Sequence, residues 1–157
     1  MDLIKYEKKY WDEGFQKIVG IDEAGRGPLA GPVVAASVIL KPYEIIEGVK
    51  DSKKLSSKKR KDLFNQIYEK ALSVGVGIVD EDIIDEINIL KATFLAMKKS
   101  LGNLNLKPDK VLIDGPYSDI TIYPTDYIVN GDNISQSIAA ASIIAKVTRD
   151  KIMYEYD

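Results

Sequence analysis

Apolar and β-branched residues occur in short runs along this chain, and most runs close on glycine, proline or an acidic side chain. Lys17 to Asp22 is one, followed by Gly25, Gly27, Pro28, Gly31 and Pro32, which predicts a strand and then a constrained loop. A second strand is expected at Val33 to Leu40. The connection between them is short and carries no helical periodicity, so the two should pair antiparallel. A dinucleotide-binding unit would instead open with parallel strands joined through a helix.

The period then changes. Leu63, Ile67 and Ala71 recur every four residues, on one face of a helix capped by Ser56 or Ser57 and reaching about Leu72. A strand at Ser73 to Val79 comes next, then a short acidic helix from Glu81 to Ile87, with Asp80 to Glu86 facing solvent. Asn88 can cap a longer helix that shows Ala92, Leu95 and Ala96 on one face before Gly102 stops it. Lys110 to Ile113 and Asp126 to Val129 are two more strands. In the last helix, Ser135 to about Tyr154, the small residues Ala139, Ala140, Ala141 and Ala145 would let the backbone lie close to a sheet. The order β, β, α, β, α, α, β, β, α predicts an α/β fold: one mixed sheet of about five strands flanked by helices. No repeat, low-complexity tract or linker divides the chain, so residues 1–157 are expected to form one domain.

Composition narrows the chemistry. The chain has no cysteine, which removes disulfides, thiolate nucleophiles and thiolate metal sites. It has no histidine either, which removes the usual general base and the imidazole ligand favoured by zinc. Any hydrolysis must then rest on carboxylates, lysines, tyrosines or a hard metal ion. A net charge of -2 excludes a uniformly basic nucleic-acid binder but leaves room for a local patch. Met1 to Gly14 is charged and aromatic, unlike a signal peptide or anchor. The longest apolar runs, Val33 to Leu40 and Ile138 to Ala145, fall well short of the ~20 residues that cross a bilayer. A cytoplasmic monomer without membrane contact is the expectation.

Three strand ends deliver four carboxylates. Asp22 and Glu23 follow the first strand, Asp114 ends another before Gly115, and Asp132 follows Gly131 after a third. If those strands are neighbours, the oxygens can converge into a cluster that must bind cations, because carboxylates at close range repel. Two hard ions about 4 Å apart would suit phosphodiester hydrolysis without histidine. Alternation along a strand points Asp22 and Glu23 to opposite faces unless the chain bends, and Gly25 supplies a place to bend. Taken singly, a strand-end Asp-Gly pair is more often an ordinary turn.

Gly25-Arg26-Gly27-Pro28 would let a backbone approach a phosphate or sugar hydroxyl, although a tight structural connection explains it equally well. A nucleotide-binding reading needs a third glycine where Ala30 stands and a helix where the Val33 strand stands. Lys50 to Lys54 and Lys58 to Lys61 concentrate positive charge around a helix start, where phosphates can be held.

Read together and in order, several stretches closely resemble type 2 ribonuclease H, the ribonuclease HII family. They are Gly20-Ile21-Asp22-Glu23-Ala24-Gly25-Arg26-Gly27-Pro28-Leu29-Ala30-Gly31-Pro32, then Asp51-Ser52-Lys53-Lys54-Leu55, Leu112-Ile113-Asp114-Gly115, Gly131-Asp132, and Ser137 through Val147. The resemblance runs from about Ile18 to Ile152. It implies a ribonuclease H-like fold and a metal-dependent endoribonuclease. Such an enzyme would hydrolyse the RNA strand of RNA/DNA hybrids and incise at ribonucleotides embedded in duplex DNA, leaving 5'-phosphate and 3'-hydroxyl ends. It further implies that Asp22, Glu23, Asp114 and Asp132 are catalytic and hold Mg2+ or Mn2+, and that Gly25, Arg26 and Gly27 contact the 2'-hydroxyl, which distinguishes RNA from DNA. Ser52 and Lys53 are expected near the nucleic-acid backbone. A replication clamp is compatible with the family, but no residue here indicates one. Family members continue past the equivalent of Asp157 with further helices and a Lys-Gly-Tyr motif that serves junction recognition. This chain has no such motif, so it reads as truncated at its carboxy terminus, and the alternative is a fragment that binds duplex without cutting it.

Overall fold

The computed structural model describes residues 2–25, 30–49, 54–116 and 118–155. Strands β1 (Ile18–Ala24) and β2 (Val33–Ile39) pair antiparallel, and β2 pairs antiparallel with β3 (Ser73–Val79). On the other side β1 pairs parallel with β4 (Lys110–Asp114), and β4 parallel with β5 (Thr125–Ile128). The five-stranded sheet therefore runs β3-β2-β1-β4-β5, with β1 at its centre.

Helices α1 (Lys5–Asp12), α2 (Ser57–Lys70), α3 (Glu81–Ile87), α4 (Ile89–Gly102) and α5 (Gln136–Glu155) flank the sheet. Strand alternation sorts the core by face. Val34, Ala36 and Val38 pack with Ala140, Ile144 and Val147 of α5 and with Leu63 and Ile67 of α2. Val33, Ala35 and Ile39 point the other way, with Val19 and Ile21, into a cluster with Ala92, Ala96 and Met97 of α4. A central strand buried on both faces reads as a continuous apolar run, which is why β2 shows no alternation of polarity.

Glycine lets both helices touch the sheet backbone. A Cβ on Gly75 or Gly77 would lie 2.1 Å from a carbonyl oxygen of α4, and one on Gly20 would lie 2.2 Å from the carbonyl carbon of Ser137 in α5. Caps follow the expected chemistry: the Ser56 hydroxyl accepts from the Lys59 amide at 3.3 Å, and the Asn88 side chain accepts from the Lys91 amide at 3.0 Å.

Helix α1 is an element not expected above. It packs Ile4 and Trp11 against Ile18, Leu112 and Ile138. Its Tyr6 and Tyr10 hydroxyls both donate to the Asp126 carboxylate, which also forms an ion pair with Lys110 at 2.9 Å. Several boundaries shift by a residue or two; among them, β1 continues past Asp22 to Ala24, and β5 stops at Ile128, leaving Val129 exposed.

Candidate metal centre

The parallel pairing of β1 and β4 brings two carboxylates together. Gly20 lies beside Leu112 and Ile21 beside Ile113, so the next step along both strands sets Asp22 beside Asp114 on the same face. Asp114 in turn lies beside Ile128 of β5. The chain leaves β5 through Asn130, which adopts a left-handed conformation with φ +57°, and enters a 3-10 turn, Gly131–Asn133, that carries Asp132. The Gly131 amide donates to Asp114 Oδ1 at 3.3 Å, fastening that turn to the strand end. As a result, one carboxylate oxygen from each of Asp22, Asp114 and Asp132 lies within 4.8 Å of the others.

Glu23 does not join that set of three. Strand alternation does not carry it away, because the Glu23 side chain hydrogen-bonds the Asp22 carboxyl. It remains electrostatically close: its amide donates to Asp22 Oδ1 at 2.8 Å, and its negative charge bears on the Asp22 carboxyl.

The cluster is a poor place for negative charge without a cation. Burial, followed by the charges of Glu23 and Asp114, pushes the Asp22 carboxyl well above the usual carboxylate range. Asp114 is raised too, by burial and then by the charge of Asp132, with the Gly131 and Asp132 amides opposing the shift. A divalent ion would reverse this balance by neutralising the ionised groups it binds. Oxygen is the only donor type present, which fits a hard ion such as Mg2+ or Mn2+ and not a soft-ligand zinc site.

Of the expected substrate-binding residues, only Gly25 can be placed. Arg26, Gly27, Ser52 and Lys53 lie outside the described residues. Gly25 has φ +104°, and a Cβ there would lie 2.5 Å from the Pro32 carbonyl oxygen and 2.6 Å from Arg149 Nε. The buried Arg149 guanidinium, from α5, donates through Nε to Pro32 O at 2.9 Å and through Nη2 to Ala30 O at 3.0 Å. It thus ties the far flank of the glycine loop to the helix that begins beside Asp132. The sequence carries a signal for this: Ala141, Ala145 and Arg149 fall at helical spacing, which puts a cation on the small-residue face.

A mixed five-stranded sheet with helices on both faces, and acidic groups meeting at the ends of its central parallel strands, is the ribonuclease H fold. Ribonuclease H2 from Pyrococcus horikoshii OT3 superposes with a TM-score of 0.80 at 30% identity, covering 89% of this chain and 75% of that one. The family model for Ribonuclease HII matches residues 19–157, and the chain belongs to that family. Ribonuclease HII from Acetivibrio thermocellus is 56% identical over 157 residues, and that from Clostridioides difficile is 57% identical over 155. These matches take in 100% and 97% of this chain but 61% and 60% of the relatives, so the chain spans about three-fifths of their length. No helix among the described residues is long and apolar enough to cross a membrane.

Proposed function

We propose that this chain carries the catalytic centre of an endonuclease that cleaves RNA strands in RNA/DNA hybrids and incises at ribonucleotides within duplex DNA. The observation that carries the reading is the convergence of Asp22, Asp114 and Asp132, in a family whose members are named as ribonucleases. Asp22 and Asp114, on adjacent rigid strands, would hold Mg2+ or Mn2+, with Asp132 closing the set from its turn and Glu23 acting from beside it. When bound, a pair of such ions supplies an activated water and charge stabilisation at the leaving oxygen.

The protein's own part is to hold these oxygens in place before substrate arrives. Asp22 is held by the pairing of β1 with β2 and Asp114 by that of β4 with β5, one residue past the last pair of the β1–β4 ladder, so little reorganisation is needed at the moment of reaction. The Gly131 amide orients Asp114, and the Glu23 amide orients Asp22. Gly25, Arg26 and Gly27 would meet the 2'-hydroxyl of the ribonucleotide, with Arg149 bracing the loop from behind, while Ser52 and Lys53 would contact the backbone.

The test is incision of a duplex bearing one ribonucleotide, with Mg2+ or Mn2+, compared with Asp22→Asn and Asp114→Asn. We expect strand scission with 5'-phosphate and 3'-hydroxyl ends, and loss of at least about a hundredfold in each variant. Unchanged cleavage in both variants would refute the assignment. Tight duplex binding with no metal-stimulated cleavage would instead favour a binding fragment.

A further inference from the structure

Helix α1 carries a carboxylate for which the site described above has no use. Glu7 is 0% exposed, and its Oε2 accepts three hydrogen bonds from the start of α5: Ser135 Oγ at 3.0 Å, Ser137 N at 2.9 Å and Ser137 Oγ at 2.8 Å. No ion pair reaches it among the described residues. A carboxylate buried without a cation is costly, so it should persist only where something specific is gained. What it meets is the amino-terminal end of a 20-residue helix, whose free amides and dipole favour an anion.

The segment it holds is the one that presents Asp132. The Ser135 amide donates to Gly131 O at 2.8 Å, closing the 3-10 turn, and Ser135 Oγ accepts from the Ile138 amide at 3.2 Å while donating to Glu7. The Gln136 amide donates to Leu3 O at 2.8 Å, a second tie to the same amino-terminal segment. Gly20, two residues before Asp22, leaves no gap beneath Ser137. Moving the start of α5 therefore moves the turn that bears Asp132 relative to the strand that bears Asp22.

We propose that Glu7 is a positioning residue of the metal centre, fixing the start of α5 and through it the placement of Asp132 against Asp22 and Asp114. This rests on the metal-binding reading above. A purely structural role, anchoring α1, makes a different prediction, because α1 has a second anchor: Asp126, held by Tyr6 and Tyr10, reaches β4 through Lys110 and leaves residues 131–138 untouched.

The experiment measures Mn2+ affinity by titration calorimetry, and metal-free hydrogen exchange at the Ser137 and Ile138 amides. It compares the wild type with Glu7→Ala, Glu7→Gln, Ser137→Ala and Asp126→Asn. Loss of an outer partner of a metal ligand typically weakens binding by tenfold or more, so Glu7→Ala should lower Mn2+ affinity about tenfold and speed exchange at both amides. Glu7→Gln, which keeps an acceptor oxygen, should recover part of the loss, and Asp126→Asn should leave affinity unchanged. Wild-type affinity in Glu7→Ala, or an equal loss in Asp126→Asn, overturns the proposal. If Glu7→Ala does not fold, Glu7→Gln and Ser137→Ala decide: reduced affinity in both supports it, and wild-type affinity in both overturns it. Absence of Mn2+ binding by the wild type would overturn the metal centre itself, and this inference with it.

Discussion

Replacing Gly20 by alanine adds one methyl group where α5 already rests on β1. That carbon would sit 2.2 Å from the Ser137 carbonyl carbon, 2.4 Å from the Ile138 nitrogen and 2.5 Å from the Ser137 oxygen. All three are backbone atoms, so no rotamer change relieves the overlap. An ordinary contact near 3.4 Å requires the helix start to retreat by more than about one ångström, and a gap of that size forfeits a quarter to a half of the dispersion energy along the opened seam. Overpacking of this kind costs ~1–3 kcal/mol, and a backbone obstacle argues for the upper end, about 3 kcal/mol. With a urea slope near ~2 kcal/mol per molar, the unfolding midpoint should fall by about 1.5 M. Gly102→Ala, with nothing within 4 Å of the added carbon, is the matched control and should be neutral or slightly stabilising. A midpoint for Gly20→Ala within about 0.3 M of wild type would show that helix and strand do not bear on each other as described.

Three further outcomes are expected. The raised Asp22 carboxyl binds its proton more tightly when folded, so its contribution to stability is complete below the usual carboxylate range and is lost as pH rises through the raised value; metal-free Asp22→Asn should remove that slope and gain about 1 kcal/mol at pH 7, roughly 2–4 °C in Tm, while abolishing cleavage. An equal dependence of Tm on pH in the two proteins would contradict this. Asp126 has the opposite sign: burial opposes its charge, but Lys110, Tyr10 and Tyr6 together hold its carboxyl low, so its contribution is present above the usual range and lost as pH falls, and Asp126→Asn should cost about 1–2 kcal/mol in urea unfolding at pH 7 but much less at pH 3. Arg149→Lys keeps the charge but loses the planar fork whose separate nitrogens reach Pro32 and Ala30; cleavage should fall about tenfold or more with unchanged circular dichroism, and full activity would show that the glycine loop does not lean on this residue.

Much of the scaffold could be read from local pattern. Each strand and helix from β1 to α5 was legible because periodicity, a cap or a glycine marked it, as Ser56, Asn88 and Gly102 show. Helix α1, only 8 residues long, is marked by Ile4, Tyr6, Tyr10 and Trp11 at helical spacing, but the charged residues Lys5, Glu7, Lys8 and Lys9 among them leave no continuous apolar run. The acidic positions could be named from strand ends, but their meeting depended on β1 and β4 being parallel neighbours, a pairing across about ninety residues that no local pattern encodes. Alternation alone would send Asp22 and Glu23 to opposite faces, yet the Glu23 side chain hydrogen-bonds the Asp22 carboxyl. The roles of Arg149 and Glu7 were hidden for a shared reason: a charged side chain reads as surface until its partners, here backbone carbonyls and two serines, are seen in space.

The bond between Glu7 and Ser137 joins residues 130 positions apart, and this bears on how the chain is made. During synthesis α1 emerges well before the Ser137 groups that hydrogen-bond its buried Glu7, which follow 130 residues later. Before residues 110–114 appear, β1 can pair with β2 but not with β4, and the seat of Ile4 and Trp11 stays incomplete until Leu112 and then Ile138 are in place. The nascent protein should therefore first form an antiparallel hairpin, and its opening helix should stay open to proteases until residues 135–138 arrive and lock it.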